Sequence, residues 1–285
     1  MKKFRHIAAF ALAALLVLSC AKETQPEGAG EMVTIEYGIT VDSPTKALGD
    51  GKTANYVWYA LYRSNGTLMS TCTTPAKIDI ATGKAICPVT MVKDQDFKVV
   101  FLAMYFDEVN GTKKTPAYII DADNKTVSMP ASLQANTDKF DLFYGVDNVV
   151  NFQGVQSTNV NLNRVVAQIN FELSEEAWDD LGAGQSLSSQ IQVSGAPTSM
   201  SLLNGTLDYT ESITYTYTQA AIPAEGRKVG TAYCFASSTG DQKVDAAITV
   251  YKTVYNEEEV VKTVSVTSIP VSSNKKTNLI ISSLN

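Results

Sequence analysis

Histidine is nearly missing from this sequence of 285 residues: the single copy, His6, lies in an apolar leader, and residues 20–285 contain none. Without it there is no Ser-His-Asp or Cys-His nucleophile, no histidine-bearing zinc site and no imidazole base near neutral pH. A carboxylate pair is not excluded, but no motif points to one, and the chain reads as a non-enzyme that uses neither cofactor nor metal. Cysteine is scarce as well. Beyond Cys20 only Cys72, Cys87 and Cys234 remain, an odd number that cannot close a disulfide framework. Cys72 and Cys87 either meet across neighbouring strands or act as small buried apolar residues. Positive charge is also short. Lys and Arg number 23 against 29 Asp and Glu, a net charge of −6, and loss of Lys2, Lys3 and Arg5 with the leader takes it to about −9. Nucleic acid and anionic headgroups both need a basic patch to displace counterions, so neither is an expected partner.

Only one long apolar run occurs, Ile7 to Leu18, behind the basic start Lys2, Lys3 and Arg5. As a helix it would span roughly 18 Å, short of the roughly 30 Å hydrocarbon core, so it reads as a secretory signal peptide over residues 1–19. Val17-Leu18-Ser19-Cys20 resembles the lipobox of bacterial lipoproteins, which implies cleavage before Cys20 and acylation of its thiol. Membrane lipid reached through Cys20 is then the expected anchor, with more than one acyl chain needed for stable attachment. Residues 20–32 are polar, contain Pro26, Gly28 and Gly30, and read as a flexible tether. Lys22 and Glu23 resemble the charged export signal of Bacteroidetes surface lipoproteins, which implies a surface-exposed place on the outer membrane.

From Val33 the pattern becomes that of strands. Val33, Ile35, Tyr37, Ile39 and Val41 alternate with Thr34, Glu36, Gly38 and Thr40, the period of a half-buried strand. Val57 to Tyr62 is β-branched and aromatic; Asn65-Gly66, Asn110-Gly111 and Asn204-Gly205 are hairpin signals. Phe97 to Tyr105 is apolar almost throughout, as in a strand covered on both faces. Near Arg164 the apolar phase slips by one residue, from Val160 and Leu162 to Val165, Ala167, Ile169, Phe171 and Leu173, which predicts a bulge or break. Ser174 is placed to cap one short helix, Glu175 to Leu181. Strand patterns resume from Ile191 to Ile281, so the class is all-β, with sandwiches at residues 33–173 and 174–285.

Three motifs are weighed and set aside. The Gly51-Lys52-Thr53 triplet has Lys46 where a phosphate loop needs its first glycine. Asp121, Asp123 and Glu257 to Glu259 lack calcium-loop spacing and read as solvated surface. Trp58 and Trp178 could stack on sugars, but Trp58 lies in a strand-like run that favours core packing.

The strand Val33 to Val41, the segment Thr45 to Asp50, the aromatic strand Val57 to Tyr62, Asn161 to Ile169 and the ending Ile269-Pro270-Val271 to Leu279 together resemble the fimbrillin family of Bacteroidetes. That resemblance implies two tandem transthyretin-like β-sandwiches and a pilus anchor, accessory or stalk subunit, or an adhesin. It makes other pilus subunits, a host surface or a glycan the expected partners. It also implies that Val33, Ile35, Tyr37, Ile39 and Val41 form a removable strand, freed by proteolysis at Lys46-Ala47, where the family's processing site has arginine. A glycan-binding lipoprotein of a nutrient-uptake system is the alternative.

Overall fold

The computed structural model describes residues 30–41, 53–109, 113–155, 158–180, 187–209, 213–222, 227–255 and 257–282. The leader, Cys20, Lys46, Ala47 and the Asn110-Gly111 turn lie outside the described residues. In chain order the first strands are β1 (Met32–Val41), β2 (Tyr56–Arg63), β3 (Leu68–Thr71), β4 (Ala76–Lys77), β5 (Lys84–Val92), β6 (Phe97–Met104), β7 (Phe106–Val109) and β8 (Lys113–Pro116). There follow β9 (Ile119–Asp121), β10 (Thr126–Ser128), β11 (Leu133–Gln134), β12 (Leu142–Val149), β13 (Asn159–Arg164) and β14 (Val166–Leu173). The only helix among the described residues, α1 (Glu175–Asp180), separates these from β15 (Leu187–Ala196), β16 (Ser199–Ser201), β17 (Leu207–Asp208), β18 (Ile213–Ala221), β19 (Lys228–Phe235), β20 (Gln242–Val254), β21 (Glu257–Val271) and β22 (Lys276–Ile281). The class is all-β, as the residue patterns predict.

An eight-stranded sheet runs β3-β2-β6-β12-β13-β1-β5, with β4 on β2. Its residues divide between two apolar cores. On β6, Phe97, Val99, Phe101 and Ala103 join Tyr37, Ile39, Val41, Cys87, Val89 and Met91 in the smaller core. Val100, Leu102 and Met104, from the opposite face of β6, belong to the larger one. This two-sided burial is why the Phe97–Met104 strand carries almost no polar residue. The five-stranded sheet β11-β18-β15-β20-β21, the three-stranded sheet β19-β14-β22 and the four-stranded sheet β17-β16-β10-β9 all contribute to the rest of the larger core. Gly230 lets them approach: a Cβ there would fall 2.7 Å from Ile248 Cδ1 and 2.8 Å from Ile191 Cδ1.

Four ladders tie residues before Ser174 to residues after it. β10 pairs with β16, β11 runs parallel to β18, and β14 lies between β19 and β22. The phase slip near Arg164 has its cause here. Leu162 on β13 faces the smaller core, whereas Ala167, Ile169, Phe171 and Leu173 on β14 face the larger. The chain therefore breaks between Arg164 and Val166 and passes from one sheet to another. Ser174 caps α1 as expected, its Oγ accepting the Ala177 N–H at 3.2 Å. The Asn204-Gly205 pair forms a turn, with Gly205 at φ 71°, between strands shorter than the Leu202 to Leu207 run suggests.

Candidate functional site

Strand β1 occupies a slot with a partner on each side. Nine residue pairs, Met32↔Val92 to Thr40↔Lys84, join it antiparallel to β5. Four more, Gly38↔Asn159 to Val41↔Leu162, join it parallel to β13. Tyr37, Ile39 and Val41 are buried, and Val33 and Ile35 pack against the same core as half-buried residues. All five alternating side chains thus fall on one face, the outcome their period of two requires. Gly38 sits where β13 comes closest: a Cβ there would lie 2.8 Å from Asn159 Oδ1.

Little besides the backbone ladder and apolar burial specifies this slot. The Tyr37 ring stands 5.2 Å from that of Phe101, and its hydroxyl donates to Asp147 Oδ2 at 3.0 Å. Burial, then the Asp147 charge, raises the Tyr37 phenol so far that it stays a donor at any physiological pH. Near the open end, the Thr34 and Thr90 hydroxyls share a hydrogen bond at 2.8 Å and Lys93 pairs with Glu31 at 2.8 Å, both exposed to solvent. Burying three such side chains stabilises the fold by roughly 1.5–3 kcal/mol each. Their sum is comparable with a domain's whole stability of about 5–15 kcal/mol, so an empty slot would be poorly tolerated. Among the described residues, β5 has no ladder partner besides β1, so both its backbone groups and the core beneath would be exposed.

Beside β13 lies a buried ion pair. Arg164 Nε and Nη2 donate to Asp141 Oδ1 and Oδ2 at 2.6 and 2.7 Å, and each side chain is 1 % exposed. Burial pushes the Asp141 carboxyl up to about 6 although the guanidinium pulls it down. Taking two charges out of water costs much of what their attraction returns, so the pair adds little net stability, yet removing one partner would leave the other buried and unpaired.

The other residues singled out in the sequence are scattered. Trp58 is buried in the larger core, so it offers no free stacking face, and Trp178 is half-buried against the same core. Asp121 is turned inward on its own loop, accepting from Asn124 N at 2.9 Å. Glu258 accepts from Gln219 Nε2 at 2.6 Å, and Glu259 pairs with Lys252 at 3.3 Å. No cluster of three metal-ligating residues occurs among the described residues. Cys72, Cys87 and Cys234 are all free thiols. Cys87 and Cys234 are buried, and Cys72 Sγ accepts the Tyr59 N–H at 3.3 Å. What the sequence reading passed over is β5, although Ala85, Cys87, Val89 and Met91 alternate as clearly as the residues of β1. It also passed over Asp141, which no local pattern connects with Arg164.

No curated protein matches the chain. Similar solved structures include a proposed polysaccharide binding protein from Bacteroides thetaiotaomicron VPI-5482, 11% identical, covering 81% of this chain and 80% of its own, at a TM-score of 0.49. A proposed cell adhesion protein from Bacteroides eggerthii DSM 20697 is 15% identical over 91% of this chain and 90% of its own, at 0.44. A fimbrial assembly protein from Parabacteroides distasonis ATCC 8503 is 14% identical over 88% of this chain and 93% of its own, at 0.44. Residues 30–280 match the model of the family of unknown function DUF6562, and the chain belongs to that family.

Proposed function

We propose that this is a lipid-anchored surface protein of the fimbrillin type, acting in a pilus or in adhesion by strand pairing and without catalysis. The observation that carries the reading is the placement of β1 between β5 and β13, with its alternating apolar residues filling one core. A strand held mainly by ladder and apolar burial can be exchanged for another of the same alternation, provided that it brings a small residue to the position of Gly38. Cleavage at Lys46-Ala47, between β1 and β2 in the chain, would separate β1 and Cys20 from the remainder. The subunit would then leave its lipid and accept a neighbour's strand, as a stalk subunit must. Left uncut, it would keep both and serve as anchor or accessory subunit.

N-terminal sequencing and mass spectrometry of protein recovered from the cell surface test this. A start at Ala47 in assembled material supports the stalk role, and an acylated Cys20 on the intact chain the anchor role. An unmodified N-terminus with no lipid, in a protein that never associates with pili or surfaces, would overturn the proposal.

A further inference from the structure

A cleft of about 680 Å³ opens where β13 hands over to β14, between the β16–β17 turn and the segments that follow β19 and β21. Val165 and Leu207, both half-buried, supply apolar surface to it, over the buried Met200. Asn163, Thr206, Ser238 and Ser273 supply amide and hydroxyl groups. Tyr209 forms one wall and is 52% exposed, yet its ring is held in place: its hydroxyl donates to Gln242 Oε1 at 3.1 Å. That buried amide also accepts the Ser237 N–H at 2.9 Å and donates to Phe235 O at 2.9 Å. An exposed aromatic ring anchored by a buried glutamine loses little freedom when something stacks on it.

The charge of the cleft narrows the ligand class. Among its described lining residues the only charged group is Arg164, already engaged by Asp141 on two nitrogens and donating through Nη1 to Asn274 Oδ1 at 3.2 Å. An anion would therefore meet a neutralised guanidinium, and a cation would find no free carboxylate. What remains is a ring to stack on, an apolar floor, and scattered hydroxyls and amides that both donate and accept. Those are the requirements of a neutral sugar, whose faces are apolar and whose edges carry hydroxyls. The volume falls within the usual range for small-molecule sites, about 300–1,000 Å³, and leaves room for one or two sugar rings. We infer that this cleft is a binding site for a neutral carbohydrate, with Tyr209 as its stacking platform. No residue of β1 lines it, so the inference stands independently of the strand-exchange reading.

The test is an array of neutral and of sialylated or sulfated oligosaccharides, followed by titration calorimetry of the full soluble chain with the best neutral ligand. Binding of neutral oligosaccharides is expected. Tyr209→Ala should weaken it at least about tenfold, the loss of a stacked aromatic contact. Tyr209→Phe keeps the ring, frees it from Gln242, and should weaken binding only a few-fold. Asn163→Ala should also reduce affinity, and Tyr255→Ala, at a tyrosine 97% exposed beyond β20, should leave it unchanged. Equal urea midpoints for the variants would show that folding is intact. No binding to any neutral oligosaccharide, preference for the anionic ones, or unaltered affinity in folded Tyr209→Ala and Asn163→Ala proteins would each overturn the inference.

Discussion

The two cores are held by different means. Every buried polar or charged residue among the described residues falls at Asp141 or later: Asp141, Arg164, Gln168, Asn170, Ser189, Thr231, Gln242 and Ser272. In the C-terminal sheets these side chains lock strands to one another. Asn170 Nδ2 donates to Asn278 Oδ1 at 3.1 Å and its Oδ1 accepts from Thr231 Oγ1 at 3.0 Å; Gln168 Nε2 donates to the Tyr233 hydroxyl at 3.1 Å. The smaller core around β1 has no such set. Buried polar networks demand particular partners and so specify one arrangement, whereas a ladder over apolar side chains accepts any strand of matching alternation. The contrast teaches that the core around β1 is held mainly by apolar packing, while the C-terminal sheets add buried side-chain hydrogen bonds.

The comparison can be broken first at its boundary. Arg164→Met leaves Asp141 buried without its partner and should cost about 3–5 kcal/mol in urea unfolding, whereas Arg164→Met with Asp141→Leu should recover most of that loss. A single variant as stable as the parent would show that Asp141 does not depend on this partner. Within the C-terminal network, Asn170→Leu strands Thr231 Oγ1 and the Asn278 amide and should cost about 1–3 kcal/mol by the same measurement. In the slot, Tyr37→Phe keeps the ring and removes the bond to Asp147. About 0.5–1.5 kcal/mol is expected. If Tyr37→Phe proved as damaging as Asn170→Leu, the slot would be as specific as the network and the contrast would fail.

Much of the smaller core was legible in the sequence because β1 is polar on one face and apolar on the other, and because β6 is apolar on both. The capped helix and the turns at Asn65-Gly66 and Asn204-Gly205 were legible for equally local reasons. β5 carried the same alternation, with Ile86, Val89, Thr90 and Val92 as good strand formers, but Pro88 at its centre reads as a strand breaker. A proline is tolerated there because β5 is an edge strand, a fact set by topology and not by the segment. The phase slip at Arg164 was visible, but its meaning required knowing that two cores exist. Asp141 and Arg164 meet across separate strands, and the cleft beside Tyr209 draws on several segments from Asn163 to Asn274. No periodicity can report contacts of that kind.

The measurement that bears most directly on the proposed exchange of β1 uses the chain beginning at Ala47 with a synthetic peptide of residues 30–41. Without the peptide this chain should aggregate or pair with other copies, and with it should return to a soluble monomer that binds the peptide. A peptide of the same composition with the alternation shifted by one residue should not bind. A chain from Ala47 that stays a folded monomer and ignores both peptides would contradict the account.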